Sequence, residues 1–202
     1  GFTTYKFFDV EGAQCHIAQN KDVIIIAFRG TEPKEFSDIK ADLNAFKGKS
    51  RTEGMVHNGF KNEIDKLWAD VSVSLQRIGK RKLYICGHSL GAAMATICAS
   101  RLEDKFPQLY TYGSPRVGGA EFVNNCLVDH YRHVNNNDIV TSVPFWRVSQ
   151  ANLKSTARPR CFFSATRSGS VPSKAFTNVA SMWSTCPSDP ITCTSYTHNS
   201  TT

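Results

Sequence analysis

The sequence predicts an α/β fold in which helices flank a mostly parallel central sheet. Short runs rich in β-branched residues alternate with longer segments of helical spacing along residues 1–147. The chain has 202 residues, a length that fits one α/β domain. Hydrophobic residues make up 41% of it and charged residues 20%, a balance that supports one sizeable core and excludes wholesale disorder.

Each predicted element has its own local pattern. Short β-branched or aromatic segments predict four strands, at residues 22–28, 82–86, 109–112 and 131–134. Apolar residues at helical spacing predict a helix over 58–78 that ends at Gly79. An alanine-rich segment predicts a second helix over 90–105, stopped by Pro107. Because the strands alternate with helices, the sheet is expected to be mostly parallel.

The composition changes near residue 147, which divides the chain into two predicted parts. Residues 1–147, the predicted α/β core, hold 16 of the 17 acidic residues, and Asp189 is the remaining one. Residues 148–202 are rich in Ser and Thr and show no sustained period of 2 or 3.6. We therefore expect this C-terminal segment to be weakly structured or atypical.

Charge and hydropathy limit the partners that we expect. The net charge is +7, but no basic run exceeds Lys80–Lys82, so solvated surface charge is favoured over nucleic-acid binding. The longest apolar run, Val23–Phe28, is too short for a transmembrane segment. No signal peptide opens the chain, so we expect a removed leader or a fragment, and the sequence leaves soluble, secreted and cytoplasmic locations open.

The cysteines do not form a recognisable metal or redox motif. No CxxC occurs among the seven cysteines, so neither a metal site nor a thioredoxin-type site is expected. Cys86 and Cys98 fall in a predicted strand and a predicted helix. We therefore expect buried free thiols there rather than a disulfide framework.

The chemically informative motif lies where a predicted strand meets a predicted helix. Gly87-His-Ser-Leu-Gly91 is a G-x-S-x-G sequence that follows the strand 82–86 and opens the helix after it. In that context the glycines permit a sharp turn that exposes a serine hydroxyl. Ser89 is therefore the candidate nucleophile, and an ordinary glycine-flanked turn is the competing interpretation.

A serine nucleophile also needs a base and an orienting acid, which follow it in the order acid, then histidine, in this architecture. Asp138 comes after the strand 131–134 and three turn-forming residues, so it is the candidate acid, with Asp104 and Asp129 as competitors. His198 is the one histidine of the sequence that follows Asp138. It is the candidate base, and a terminal histidine without a role is the alternative.

Two backbone amides would have to stabilise the oxyanion of the reaction. Leu90, directly after the nucleophile, supplies one candidate amide. The loop Phe28-Arg-Gly-Thr31, at the end of the strand 22–28, presents Thr31 as the second. A plain turn is the alternative interpretation of that loop.

Five motifs in order carry a family resemblance. They are AFRGT at 27–31, VHNGF at 56–60, GHSLG at 87–91, TYGSPRV at 111–117 and NDIV at 137–140. Together they resemble the class 3 lipases, the family of fungal triacylglycerol lipases and their bacterial relatives. The resemblance implies an α/β-hydrolase fold, ester hydrolysis by a Ser-Asp-His triad and no cofactor. It maps onto Ser89, Asp138, Thr31 and Leu90, and it implies a lid helix at Glu35–Leu43.

The expected function is therefore a carboxylic ester hydrolase acting on acylglycerols or related acyl esters, with a lipid–water interface as a possible partner. The competing hypothesis is a catalytically impaired protein of the same fold that binds only lipid or another partner. The family places its histidine in an Asp-His segment, and this sequence shows none. Either the C-terminus is divergent and His198 reaches the triad, or residues from about 148 onward come from a shifted reading frame.

Overall fold

A computed structural model of the chain describes residues 1–30, 47–76, 79–134 and 140. Its strands are β1 (Thr4–Val10), β2 (Ala13–Gln19), β3 (Val23–Phe28), β4 (Lys47–Lys49), β5 (Met55–His57), β6 (Lys82–His88), β7 (Gln108–Tyr112) and β8 (Asp129–His133). Its helices are α1 (Asn58–Leu75), α2 (Leu90–Arg101) and α3 (Ala120–Asn125), with a 3₁₀ turn at Glu103–Lys105.

Within these residues, six strands form one sheet in the order β1–β2–β3–β6–β7–β8. The pairings β3–β6, β6–β7 and β7–β8 are parallel, and β1–β2 and β2–β3 are antiparallel. The parallel part confirms the sheet that the alternating pattern predicts. Because β3, β6, β7 and β8 run in the same direction, their carboxyl ends meet at one edge of the sheet.

Helices α1 and α2 pack against each other and against one face of the sheet. The sheet contributes alternate residues of β3 and β6 to this core, among them Ile24, Ile26, Leu83 and Ile85. Their neighbours Ile25 and Ala27 are also buried. Burial on both faces explains why β3 is an unbroken apolar run rather than an alternating one.

Helix α1 begins at the residue that the sequence predicts, but it ends earlier than predicted. The Nδ1 atom of His57 accepts a hydrogen bond from the amide of Gly59 at 3.1 Å, which caps the first turn. The helix ends at Leu75 rather than continuing to residue 78. Five apolar residues of α1 face the core: Phe60, Ile64, Leu67, Val71 and Leu75.

The second predicted helix is also shorter than expected. α2 ends at Arg101, and Glu103–Lys105 forms a 3₁₀ turn instead of a continuation to residue 105. Phe106 then adopts a left-handed backbone with φ of 50°. Because Pro107 disfavours a helical conformation in the residue before it, the helix cannot run up to the proline.

Sequence reasoning missed the hairpin at the start of the chain. β1 and β2 are joined by Glu11 and Gly12, which both have positive φ, at 50° and 81°. Two such residues form the tight turn that fits the twist of an antiparallel pair. The hairpin β4–β5 and the short helix α3 were likewise not predicted from the sequence.

Candidate active site

Ser89 occupies a strained turn between β6 and α2. Its φ of 54° and ψ of −123° lie in a region that side-chain-bearing residues rarely adopt. Its amide donates to the Tyr112 carbonyl at 3.0 Å, which ties the turn to the end of β7. Backbone strain of this kind costs on the order of 1–3 kcal/mol and is found preferentially at functional sites. The sharp turn predicted from the G-x-S-x-G motif is therefore present, but Ser89 is buried, with 8% of its surface exposed, rather than exposed as expected.

The glycines on either side of Ser89 are required by close backbone packing. A Cβ atom on Gly87 would collide with the backbone of Gly91 and would lie 2.7 Å from the Ala92 amide nitrogen. A Cβ atom on Gly91 would collide with the Phe28 carbonyl and would lie 2.8 Å from the Arg29 carbonyl oxygen. The turn and the end of β3 are thus in direct backbone contact.

Leu90 is the first residue of α2, so its amide lies at the N-terminus of the helix, directly after the candidate nucleophile. The Ser89 carbonyl accepts from the amides of Ala92 and Ala93 at 3.0 and 3.3 Å, so the helix is closed directly behind the nucleophile. The first amides of a helix have no acceptor within it, and the helix dipole adds partial positive charge there. The Leu90 amide is therefore suited to stabilise negative charge that develops beside Ser89.

The chain after β3 passes directly beside the nucleophile. A Cβ atom on Gly30 would lie 2.5 Å from the His88 carbonyl oxygen and 3.4 Å from the Ser89 Cβ atom. Only a glycine fits this approach without a shift of backbone. The sequence named Arg29-Gly30-Thr31 as a loop, but this dependence on Gly30 became visible only in the structure.

The carboxyl ends of three strands are adjacent at this edge of the sheet. His88, Tyr112 and His133, the last residues of β6, β7 and β8, lie opposite one another in register. Asp138 follows His133 by five residues in the sequence. Asp138 itself lies outside the described residues, so its role as the acid stays a prediction.

The two competing acids are not at this edge. Asp129 begins β8 opposite Gln108, at the amino end of the parallel strands and thus at the opposite edge from Ser89. It is the first residue of β8. Asp104 lies in the 3₁₀ turn after α2 and pairs with Lys105 at 2.7 Å. Neither carboxylate is placed to orient a base at Ser89.

Of the five site residues predicted from the sequence, the structure describes Ser89 and Leu90 and brings them together. Thr31, Asp138 and His198 lie outside the described residues, as do the lid segment Glu35–Leu43 and the predicted part 148–202.

Four histidines that precede Asp138 have other surroundings. His57 caps α1, and its ring lies tilted against that of Phe60 with 4.5 Å between centroids, whereas His133 stacks on Tyr112 at 4.7 Å. His88 is exposed at the end of β6. The Nε2 atom of His130 lies 2.7 Å from the Thr111 hydroxyl, and burial together with the nearby charge of Arg132 lowers its pKa to about 4.

Three buried thiols are poor nucleophiles. Cys15, Cys86 and Cys98 are buried and free, as predicted for the latter two. Burial raises the pKa of Cys15 and Cys86 to about 12, because a buried thiolate loses its hydration. These thiols therefore stay protonated near neutral pH, so Ser89 is the stronger candidate for nucleophilic chemistry.

Neither a metal cluster nor a spanning helix is found in the described part of the chain. No group of three or more potential metal ligands occurs among residues 1–30, 47–76, 79–134 and 140. In the same ranges, no helix combines the length and hydropathy that crossing a bilayer requires.

Comparison with known proteins extends this picture. The sequence profile of the family "Lipase (class 3)" matches residues 25–148. Toxin TseL of Vibrio cholerae is 33% identical over 69% of this chain, and a secreted mono- and diacylglycerol lipase of Fusarium solani is 38% identical over 44% of it. The chain spans 29% of the length of each of these two relatives.

Solved structures agree on the fold. The triacylglyceride lipase of Rhizomucor miehei matches 69% of this chain and 59% of its own, with 27% identity and a TM-score of 0.60. A triacylglycerol lipase whose catalytic centre is a serine protease triad gives the same coverage, identity and TM-score. The α/β-hydrolase fold predicted from the resemblance is confirmed.

Proposed function

Because the chain belongs to the class 3 lipase family, we propose that it hydrolyses carboxylic esters of acylglycerols or related acyl esters, with Ser89 as nucleophile. The observation that carries the proposal is the backbone of Ser89, held at φ 54° between β6 and α2. Such a turn presents a hydroxyl beside the first amide of a helix. That arrangement suits attack on an ester carbonyl followed by stabilisation of the oxyanion.

The proposed mechanism assigns one step to each predicted residue. His198 accepts the Ser89 proton, Asp138 orients the imidazole, and Ser89 attacks the carbonyl carbon of the ester. The amides of Leu90 and Thr31 hold the tetrahedral oxyanion. The alcohol then leaves with the proton from the imidazolium, and water cleaves the acyl-enzyme by the reverse sequence of proton transfers. No cofactor takes part in this scheme.

The proposed substrate class rests on the relatives. The Fusarium solani protein is a mono- and diacylglycerol lipase, and the Rhizomucor miehei protein is a triacylglyceride lipase. Acylglycerols share an uncharged ester of a primary or secondary alcohol, so we propose such esters at a lipid–water interface as substrates. The shared chemistry does not depend on the number of acyl chains.

A second candidate function is a catalytically impaired protein of this fold that binds lipid or a partner. It is favoured by the position of His198, which lies 50 residues beyond the end of the family match at residue 148. Without an imidazole at Ser89, the hydroxyl would remain a weak nucleophile. Activity measurements separate the two candidates.

The test is hydrolysis of soluble p-nitrophenyl butyrate by the full chain and by two serine variants. We expect turnover by the wild type and a loss of at least about 1,000-fold in Ser89→Ala, because the covalent route is removed. Ser72→Ala is the matched control, since the Ser72 hydroxyl donates to the Ala69 carbonyl on the exposed side of α1.

The possible outcomes separate the candidates cleanly. Near-full turnover by Ser89→Ala would refute the assignment of the nucleophile. A folded wild type without turnover would favour the impaired protein.

A further inference from the structure

We propose that Gln14 is a positioning residue for the reaction, which fixes the carboxyl end of β3 against the Ser89 turn. The inference rests on the proposed ester hydrolysis and extends it to a residue remote in sequence from the five predicted site residues. Gln14 contacts neither substrate nor reacting atoms. It acts through Arg29, the residue that follows β3.

Three polar side chains form a row across three neighbouring strands. Asp9 of β1 lies opposite Gln14 of β2. Cys15 lies opposite Phe28, so Gln14 in turn lies opposite Arg29. In this row the Gln14 Nε2 atom donates to the Asp9 carboxylate at 2.6 Å, and the Arg29 Nη1 atom donates to Gln14 Oε1 at 2.7 Å.

The row has a defined direction because the two ends of an amide differ. The Gln14 NH₂ group can only donate and its oxygen can only accept. With the NH₂ group committed to Asp9, the oxygen faces Arg29. The Arg29 backbone amide also donates to the Gln14 carbonyl at 3.0 Å, so Gln14 holds Arg29 by both its main chain and its side chain.

Arg29 is in turn part of the wall of the nucleophile turn. The position of a Cβ atom on Gly91 lies 2.7 Å from the Arg29 carbonyl carbon, and that of one on Gly30 lies 2.5 Å from the His88 carbonyl oxygen. Because neither glycine position has room for a Cβ atom, the end of β3 and the turn lie against each other with little space between them. A displacement of Arg29 is therefore passed directly to the backbone beside Ser89.

The same displacement would affect the reaction. Oxyanion stabilisation depends on donors held within a few tenths of an ångström of the developing charge, and misplacement lowers turnover more than substrate binding. Gln14 thus serves the transition state by limiting the motion of the chain that leaves β3. Its loss should lower kcat and leave KM nearly unchanged.

The matched control lies on the same strand. At the far end of β2, Gln19 Oε1 accepts from Arg81 Nη1 at 2.9 Å, which is the same kind of bond between a glutamine and an arginine. Arg81 directly precedes β6, at the amino ends of the parallel strands and away from Ser89. Gln19→Ala therefore removes an equivalent bond without touching the turn.

The experiment compares kcat, KM and melting temperature for the wild type, Gln14→Ala and Gln19→Ala, with p-nitrophenyl butyrate as substrate. We expect similar melting temperatures for the two variants. Gln14→Ala should lose about fivefold in kcat, the order of one partly exposed charge-assisted hydrogen bond. Gln19→Ala should keep the wild-type kcat.

A complementary swap tests the direction of the row. Gln14→Glu alone sets a carboxylate against Asp9 and should lower kcat further. Adding Asp9→Asn lets the amide introduced at position 9 donate to the carboxylate introduced at position 14, which still accepts from Arg29. The double variant should therefore recover most of the wild-type kcat, a rescue that a merely structural role does not predict.

The outcomes distinguish failure of the positioning role of Gln14 from failure of the proposed ester hydrolysis. A wild type without turnover would overturn the proposed function together with the inference. An active wild type in which Gln14→Ala equals Gln19→Ala in kcat would overturn the positioning role alone. Failure of Asp9→Asn to rescue Gln14→Glu would also overturn it.

Discussion

The environment of Ser89 shows how closely one residue can depend on its neighbours. Its positive φ is stabilised by the hydrogen bond that its amide donates to the Tyr112 carbonyl and by the start of α2, and the glycines at 87 and 91 remove the side chains that would collide. The two glycines and the start of α2 belong to the motif and the helix that follows it, although Tyr112 and the backbone beside Gly91 belong to β7 and to the end of β3. The strained turn could therefore be predicted from five residues of sequence and their position between a strand and a helix.

Gly30 has no room for a side chain, so its substitution should affect both activity and stability. In Gly30→Ala the new Cβ atom would lie 2.5 Å from the backbone oxygen of His88, so the end of β3 must move away from the turn. We expect a loss of at least about tenfold in kcat and a lower stability by about 1–3 kcal/mol, the usual cost of overpacking. Ester hydrolysis and urea unfolding measure both effects.

Gly119→Ala is the matched control for this change. A Cβ atom on Gly119 would meet only the Met55 carbonyl oxygen at 3.9 Å, an ordinary contact, so this variant should retain its activity. If Gly30→Ala were as active as Gly119→Ala, the close approach of β3 to the turn would have no effect on kcat.

The proposed role of Gln14 could not be predicted from the sequence, for a physical reason. It depends on the register of three strands, and a shift of one residue would turn its side chain to the other face of the sheet. Nothing in the local sequence around Gln14 specifies that it meets Asp9 on one side and Arg29 on the other.

At the scale of elements, the buried strands were predictable and the hairpin β1–β2 was not. β3 and β6 can be recognised in the sequence as apolar runs. α1 and α2 bury one face of these strands, and the other face is also largely buried. β1 is mostly exposed along its length, so it lacks the alternation that marks a half-buried strand. Its turn, Glu11-Gly12, is a weaker signal than Asn-Gly or Asp-Gly.

In the β7–β8 pair, the protonation of His130 should make stability depend on pH. His130 has an ordinary pKa of 6.5 when unfolded and a pKa of about 4 in the folded chain. Above pH 6.5 both states are neutral and the group has no effect. As the pH falls from 6.5 towards 4, only the unfolded state gains the proton, so the free energy of unfolding decreases by up to about 3 kcal/mol.

Urea unfolding of the wild type and of His130→Gln at pH 7.5 and 4.5 measures this effect. The wild type should lose about 2–3 kcal/mol more than the variant between the two pH values. Contributions from other groups, including His16, whose pKa is also lowered by burial, are common to both proteins. Equal losses in the two proteins would show that His130 is protonated as readily in the folded state as in the unfolded one.

At the scale of the whole molecule, the general base that would take the Ser89 proton has to come from the C-terminal part of the chain. The family profile matches residues 25–148, and acidic residues become rare from residue 148 onward. The fold of the matched part followed from its motifs, since AFRGT, VHNGF, GHSLG and TYGSPRV each include the end of a described strand. Residues 148–202 offered no periodicity from which to predict an element.

His198→Ala tests whether the C-terminal part contributes to catalysis. If His198 is the base, the variant should lose at least about 1,000-fold in turnover, as expected for a triad histidine. His130→Gln supplies the control variant, because His130 lies near the amino end of β8 and away from the edge that holds Ser89, so this variant should remain active. Turnover by His198→Ala equal to that of the wild type would exclude His198 as the base.

The shifted-frame hypothesis has its own test in the gene. The nucleotide sequence should contain, in another frame near its end, codons for an Asp-His segment followed by an aromatic residue. A gene in which no alternative frame restores such a segment would exclude the hypothesis.

Covalent labelling tests whether Ser89 is an activated nucleophile. The full chain is incubated with a fluorophosphonate, which reacts with activated serines, and the modified peptide is identified by mass spectrometry. The structure predicts one adduct per chain, on Ser89, and none in Ser89→Ala. An adduct on a different residue, or ester hydrolysis that continues while Ser89 stays unmodified, would contradict the claim.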